Sequence, residues 1–397
     1  MTNFIFVSPN FPRIYSKFVR GLKENGVNVL GIGDTPYSDT EQELRDYITE
    51  YYYIPNLADI NKINEAVGYF ERKYGHIDFL ESNNEYWLEQ DAVVREMFHI
   101  DTGFYPKDME KIKFKSKMKE YFKKAGVKTA RYILVDTLEN SLKFASEVGY
   151  PLFVKPDNGV GAAASYKLKD EEALRNFHNQ ELHTTYIMEE YIDGELMSFD
   201  GVCDLDGNVV FAVNEVFPMP IAEVVNSKSD VYYYCNYDMP ESFREIGKAV
   251  VKSFGISKRC FHIEFFKLKK AKAGLGKKGD IIALETNMRS PGGNTPDLIA
   301  LSINANYYKI YADVIAFNES RQDMNKEKYI AMSVSRRDEL NYVHTNEEIY
   351  AKYGPYIAEH NRYSPEIAVA MGNDFYFGRF KNLEEALEFK DFIMAKK

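Results

Sequence analysis

The residue types best able to do chemistry lie between Phe261 and Gly293, in the stretch FHIEFFKLKK, a basic glycine-containing turn, and DIIALETNMRSPGG. On one strand, Glu285, Asn287 and Arg289 share a face because their spacing is two, and Leu284, Thr286 and Met288 turn to the packing side. Glu264 stands in the apolar run before the turn, so a hairpin brings it beside Glu285. Two carboxylates and an amide then converge. Oxygen donors of this kind suit a hard cation such as Mg²⁺, shared between carboxylates and nucleotide phosphates. Arg289 adds a fixed positive fork beside them. The plainer alternative is a surface hairpin with a lysine-rich turn. Against it stands the cost of half-burying carboxylates within apolar runs unless they are paired or metal-bound. His262 shares the face of Glu264, as a base for an incoming amine or as a hydrogen-bonded support for the metal acid.

The chain that must position these residues has 397 of them, enough for two or three domains with a sizeable core. A net charge of -10 argues against a nucleic-acid or anionic-membrane surface and for a small-molecule partner. Cys203, Cys235 and Cys260 are odd in number and widely spaced, which fits neither a disulfide framework nor a thiolate zinc site and points to a reducing cytoplasm. No basic leader and no apolar run of about 20 residues is present, so neither export nor a membrane span is expected. Tyrosine clusters at Tyr51–Tyr53 and Tyr232–Tyr234, either as packing or to grip a ligand.

Residues 1–110 alternate strand and helix, the pattern of a parallel sheet with crossover helices. Strands are expected at NFIFVSP, VNVLGIG, YITEYYYIPN and IDFLES, with helices over 15–24, 60–74 and 84–98. Ligands of such sheets bind beyond the strand ends, here Ser8-Pro9-Asn10, Gly33-Asp34 and Glu81-Ser82-Asn83. Glu85 either faces that crevice or complements a helix N-terminus. No complete GxGxxG follows the first strand.

The run KIKFKSKMKEYFKKAG reads as a solvated helix face. VKTARYILV is expected as one strand and 137–148 as a helix. An apolar strand then ends in Lys155-Pro156 and a loop with Gly159 and Gly161, either a flexible turn or a close backbone approach to phosphate oxygens. TYIMEEYIDGE is a strand and an acidic hinge, and the next hairpin closes at Asp206-Gly207. Residues 217–240 read as a long Tyr-bearing loop, 241–255 as a helix, and the segment after Pro296 as one long amphipathic helix. After residue 330 come a strand at YIAMSV, a helix near 346–353, a strand pair about EIAVAMGNDFYFGRF and a final helix from Leu383, together a small α+β cap.

The order of these features resembles the ATP-grasp superfamily of carboxylate ligases: a lysine in a basic helix, strand-Lys155-Pro and a glycine loop, MEEYIDGE, FHIE, then ALETNMRSPGG. The resemblance covers roughly residues 110–320. It implies an α/β and α+β chain, with a Rossmann-like parallel-sheet domain (1–110), the small lid subdomain (111–200) and catalytic subdomain (201–320) of an ATP-grasp fold, and a C-terminal α+β subdomain (321–397). It implies Lys115, with Lys117 as competitor, and Lys155 on the phosphates; Gly159 and Gly161 in the lid; and Glu189, Glu190 and Ile192 at the adenine, held by a carboxylate and main-chain groups. Glu264, Glu285 and Asn287 become the metal ligands, and Arg289 with the backbone of Gly292 and Gly293 the stabilisers of the acyl transfer. The acid that commonly holds the ribose, two residues after the hinge glycine, is replaced by Leu196, with Glu195 beside it.

The activity implied is an ATP-dependent carboxylate-amine ligase of the cytoplasm, using ATP and Mg²⁺ (Mn²⁺ as an alternative ion), proceeding through an acyl phosphate and taking amino-acid or dipeptide substrates. Neither nucleic acid nor membrane is a partner, and a homodimer follows the family's habit. Alternatives are a carboxylase, an acid-CoA ligase or a purine-pathway ligase on the same fold, and a catalytically silent ATP-binding regulatory module.

Overall fold

A computed structural model describes residues 1–159, 164–218 and 229–397. Four short strands, β1 (Asn3–Val7), β2 (Asn28–Gly33), β3 (Glu50–Tyr53) and β4 (Phe79–Glu81), form a parallel sheet in the order β3-β2-β1-β4. The helices Ile60–Tyr74 and Leu88–Met97 cover one face through Ile63, Val67, Phe70 and Val94. The second helix starts later than its sequence suggests; residues 84–87 form a turn that carries Glu85.

Residues 111–200 hold a second small sheet, with order β6-β9-β7-β8, built from β6 (Tyr132–Leu134), β7 (Leu152–Pro156), β8 (Tyr166–Leu168) and β9 (Tyr186–Glu190). VKTARYILV is not one strand. Its first part, β5 (Lys128–Thr129), pairs in the large sheet, while β6 pairs with β9, so the chain changes sheets between Thr129 and Tyr132.

The large sheet has the order β16-β17-β15-β12-β11-β10-β13-β14-β5, and it is antiparallel apart from the β14–β5 edge. Its remaining strands are β10 (Gly194–Cys203), β11 (Val209–Phe217), β12 (Tyr232–Asn236), β13 (Cys260–Leu268), β14 (Ile281–Asn287), β15 (Ile330–Arg336), β16 (Ile357–Arg362) and β17 (Asp374–Phe380). Alternation along β10 and β13 feeds two cores. Phe199, Phe261 and Phe265 pack with Phe243 and Phe254 of the helix Glu241–Phe254. Val202 and Cys260, on the other face, join Phe4 and Phe18 of the first domain and Tyr307 and Tyr311.

Four expectations fail for identifiable reasons. Tyr232–Tyr234 belongs to a strand; Tyr233 is buried and stacks on Phe217 at 4.8 Å between ring centroids, so the aromatic run is packing. The helix after Pro296 is two, Thr295–Ile303 and Tyr307–Phe317, because Asn304 adopts φ 51° and Asn306 caps the second through Lys309 N. EIAVAM is not a strand but lies in the helix Pro365–Met371, with proline at its first position. The lysine-rich run is only partly a solvated face: Lys117, Lys123 and Lys124 are exposed, but Lys113, Lys115 and Lys119 are buried. No helix among the described residues is long and apolar enough to cross a membrane.

Candidate active site

The hairpin of β13 and β14 does set Glu264 directly across from Glu285 and His262 across from Asn287. One irregularity changes the packing face: Phe265 pairs with Ala283, so Leu284 is the extra residue of a bulge. Ala283, not Leu284, therefore shares the core with Met288. The strand ends at Asn287, and Arg289 follows in a bend rather than on the strand.

Two cross-strand rows result, because residues directly opposite one another in antiparallel register share a face. One row reads Glu215, Ser198, Glu264, Glu285 and the next Val213, Asp200, His262, Asn287, over β11, β10, β13 and β14. Asp200 Oδ1 lies 2.5 Å from His262 Nδ1, and His262 Nε2 lies 3.3 Å from Glu264 Oε1. Ser198 Oγ donates to Asp200, and Thr295 Oγ1 donates to Glu215 Oε1 at 3.1 Å. Asp200, Glu215 and His262 could present one ligand atom each within 4.8 Å of one another, and the group is also hydrogen-bonded internally, between His262 and Asp200, and to Thr295 through Glu215.

Acid outnumbers base on this face. Burial, then Asp200, pushes the Glu215 carboxyl well up. Burial, then the Glu264 carboxylate, pushes Glu285 up as well. Burial works the same way on Glu264, but its bond to His262 and the charges of His262, Lys155 and Arg289 together outweigh that and hold it down. Burial pulls His262 down, and Asp200 and Glu264 more than reverse it.

Lysines form the opposite bank. Lys115 opens the helix Lys115–Lys124, whose first turn is fixed by Asp157: Ser116 N and Oγ each donate to its carboxylate at 2.7 Å. Lys115 Nζ donates to Gly159 O at 3.2 Å and lies 3.8 Å from Glu285 Oε2. Lys117 is exposed and pairs with Glu120, away from the site. Lys155, at the end of β7, is 3.1 Å from Glu189 Oε2, and the other oxygen of Glu189 is held by Lys119. Gly161 lies outside the described residues.

The hinge departs from expectation. Both of its carboxylates are engaged inside the protein, Glu189 as above and Glu190 by Arg131, whose Nε and Nη2 reach it at 3.0 and 2.6 Å. The basic hairpin turn is not a free surface loop either: Lys272 Nζ donates to Tyr191 O at 2.7 Å and lies 3.3 Å from Glu190. Ile192 is buried with Leu268, Leu275 and Ile282, an apolar patch beside Phe266. Leu196 pairs with Phe266 on the face of Glu264, whereas Glu195 points to the other face.

Arg289 Nη2 donates to Glu85 Oε2 at 3.3 Å, so Glu85 faces the hairpin and ties the turn after β4 to it. A Cβ added at Gly292 or Gly293 would meet nothing within 4 Å, which leaves their backbone open to approach, and Gly293 needs its φ of +57°.

Sequence reasoning missed Lys119, Asp200, Glu215, Arg131 and Lys272. Lys119 is four residues after Lys115 and so on its helix face. Asp200 and Ser198 alternate within an apolar strand, the same signal that exposed Glu264. Arg131 and Lys272 carry none.

Residues 110–223 match the family model of the carbamoyl-phosphate synthase L chain, ATP binding domain. The chain is 29% identical to D-alanine–D-alanine ligase B of Clostridium perfringens over 30% of its length and 36% of that protein. It is 23% identical to alanine–anticapsin ligase of Bacillus subtilis, over 67% of the chain and 58% of the relative. To the L-arginine-specific L-amino acid ligase of Bacillus subtilis it is 19% identical, over 82% and 78%. The first two relatives are thus matched over about a third and about three fifths of their lengths. An L-amino acid ligase structure from Bacillus licheniformis superposes with a TM-score of 0.67 at 16% identity, covering 100% and 99%. The biotin carboxylase domain of the Hydrogenobacter thermophilus 2-oxoglutarate carboxylase, solved with MgADP and bicarbonate, gives 0.67 at 17%, covering 97% and 88%. The fold is that of these amino-acid ligase and biotin carboxylase structures.

Proposed function

We propose that this chain, an ATP-grasp protein by its fold, is an ATP-dependent carboxylate-amine ligase that activates a small carboxylate as its acyl phosphate and joins it to an amine, releasing ADP and phosphate. The observation that carries this reading is the opposition of two banks, Lys115 and Lys155 against Glu264 and Glu285, with Lys115 Nζ 3.8 Å from Glu285. Phosphoryl transfer needs positioning and charge neutralisation more than covalent chemistry, and these banks supply both.

The donor set fits Mg²⁺. Glu264, Glu285 and Asn287 offer only hard oxygen ligands, and a dication would relieve the crowding that pushes Glu285 up. Bound there, with Mn²⁺ able to take its place, it would neutralise charge spreading over the transferred phosphoryl group. Lys115 and Lys155 would hold the phosphates, main-chain groups from Glu189 to Ile192 the adenine, and the apolar patch at Phe266 and Ile282 its ring. Arg289 and the N–H groups at Gly292 and Gly293 would bind oxygens at the reacting carbonyl. Asp157 and Gly159 would help to exclude water.

The ligases of amino acids among the relatives favour amino-acid or dipeptide substrates. Three free, buried cysteines favour placement in the cytoplasm, the separate sheets favour division of the chain near residues 110, 200 and 320, and assembly as a homodimer would parallel the dimeric carboxylase domain. That domain's equal TM-score also favours a second reading, activation of bicarbonate. Phosphate release with Mg²⁺ and ATP against pooled amino acids, small carboxylates and bicarbonate tests both. Ligation yields phosphate and a product lighter by one water than its two substrates. Release with bicarbonate alone selects the second reading, and ATP binding with no release in any pool refutes both.

A further inference from the structure

Lys155 cannot be judged by its own position, because its ammonium is already 3.1 Å from an acid, Glu189 Oε2. A lysine neutralised by a buried carboxylate offers little field to a phosphate. Lys119 changes that balance. It stands one helical turn beyond Lys115 on the Lys115–Lys124 helix and takes Glu189 Oε1, leaving two lysines to share one acid. All three side chains are nine-tenths or more buried. The arrangement is fixed from three directions: Glu189 is registered on β9 between Tyr132 of β6 and Phe153 of β7, and Lys119 Nζ lies 5.2 Å from the Tyr132 ring centroid. Glu285 and Glu264 also act on Lys155, but from across the site.

We infer that Lys119 is a positioning residue of the nucleotide site, occupying Glu189 so that Lys155 keeps a net positive charge directed at nucleotide phosphates. Glu189 thereby serves as the clamp that aims Lys155 rather than as an adenine ligand. This rests on reading the site as a nucleotide site, and it concerns a lysine that the resemblance does not single out.

The test is binding of ADP and of adenosine in EDTA, by calorimetry, with thermal melts of each variant. Lys119→Met should weaken ADP binding about 10- to 100-fold while leaving adenosine affinity within about twofold, since only the phosphates feel the lost charge. Lys119→Arg should keep most of the ADP affinity. The double variant Lys119→Met/Glu189→Gln should regain ADP binding, because the acid that sequesters Lys155 is gone. A merely structural lysine predicts equal losses for ADP and adenosine and no recovery in the double variant, and either result overturns the inference. Should Lys119→Met fail to fold, Glu189→Gln alone decides: its amide oxygen can still hold Lys155 in place while the neutralising charge is gone, so it should bind ADP at least as tightly as the wild type, and weaker binding overturns the proposal. Wild-type protein that binds neither ADP nor ATP would refute the nucleotide reading itself, a different result from wild-type binding that Lys119→Met leaves unchanged.

Discussion

The two banks of the site solve opposite electrostatic problems. On the small sheet each acid has its cations: Lys119 and Lys155 hold Glu189, and Arg131 and Lys272 hold Glu190. On the large sheet Asp200, Glu215, Glu264 and Glu285 crowd one face with His262 among them. Glu189 is accordingly drawn to about 2, with burial opposing and the two lysines prevailing, whereas burial and neighbouring acids push Glu285 and Glu215 up. The first bank is organised without a ligand. The second holds a surplus of negative charge that a bound cation would offset, which is the stability cost a functional site commonly carries.

The contrast is broken most severely at Glu285. Glu285→Ala should lower phosphate release by at least about 1,000-fold, a loss of several kcal/mol of charge stabilisation, while ADP binding in EDTA persists. Near-normal turnover would remove the metal from this bank.

Acid titration probes the other bank. A carboxyl held below its ordinary 4.5 stabilises the fold above that value and loses the contribution as pH falls toward the folded value of about 2. The Glu189→Gln variant should therefore lose less stability than wild type between about pH 5 and pH 2, by at most about 3 kcal/mol, as read from urea unfolding at each pH.

Glu285 has the opposite sign. Its raised pKa means that stability falls as pH rises through the folded value, so Glu285→Gln should be more stable than wild type at neutral pH in EDTA. About 1 kcal/mol, or a few degrees in Tm, is expected, with a smaller gain than wild type on adding Mg²⁺ and ADP. A Tm below wild type in EDTA would show that the carboxylate is already compensated.

The smallest effect belongs to the partly exposed Lys272. Lys272→Ala should loosen the contact between hairpin turn and hinge and raise the apparent KM for ATP about twofold, with kcat unchanged.

Much of this site is legible in the sequence because its signals are local. Period-two spacing put Glu285 and Asn287 on one face, an apolar run around Glu264 marked a strand, and the lysine-rich turn marked the hairpin between them; the structure has the same pairing. The alternating strands and helices of residues 1–110 likewise follow from short-range pattern. The failures are at points where one backbone torsion or one extra residue decides: the φ of Asn304 that splits a helix, and the bulge at Leu284 that moves the packing role to Ala283.

What only the tertiary structure decided is which charges meet. Lys119 and Glu189 are 70 residues apart and Arg131 and Glu190 are 59 apart. Spacing along the chain says nothing about such pairs, because their geometry is set by sheet order. The resemblance cast Glu189 and Glu190 as hinge acids at the adenine, and the sequence alone left them equally readable as solvent charges. Packing of β9 between β6 and β7, against a helix whose buried side carries Lys119, turned Glu189 into a clamp. The sequence determined the strands, the helix faces and the kinds of donor available. Strand order and burial determined which donors neutralise one another and which stay free to bind, since Coulombic pairing depends on distance and dielectric, and both are properties of the folded chain.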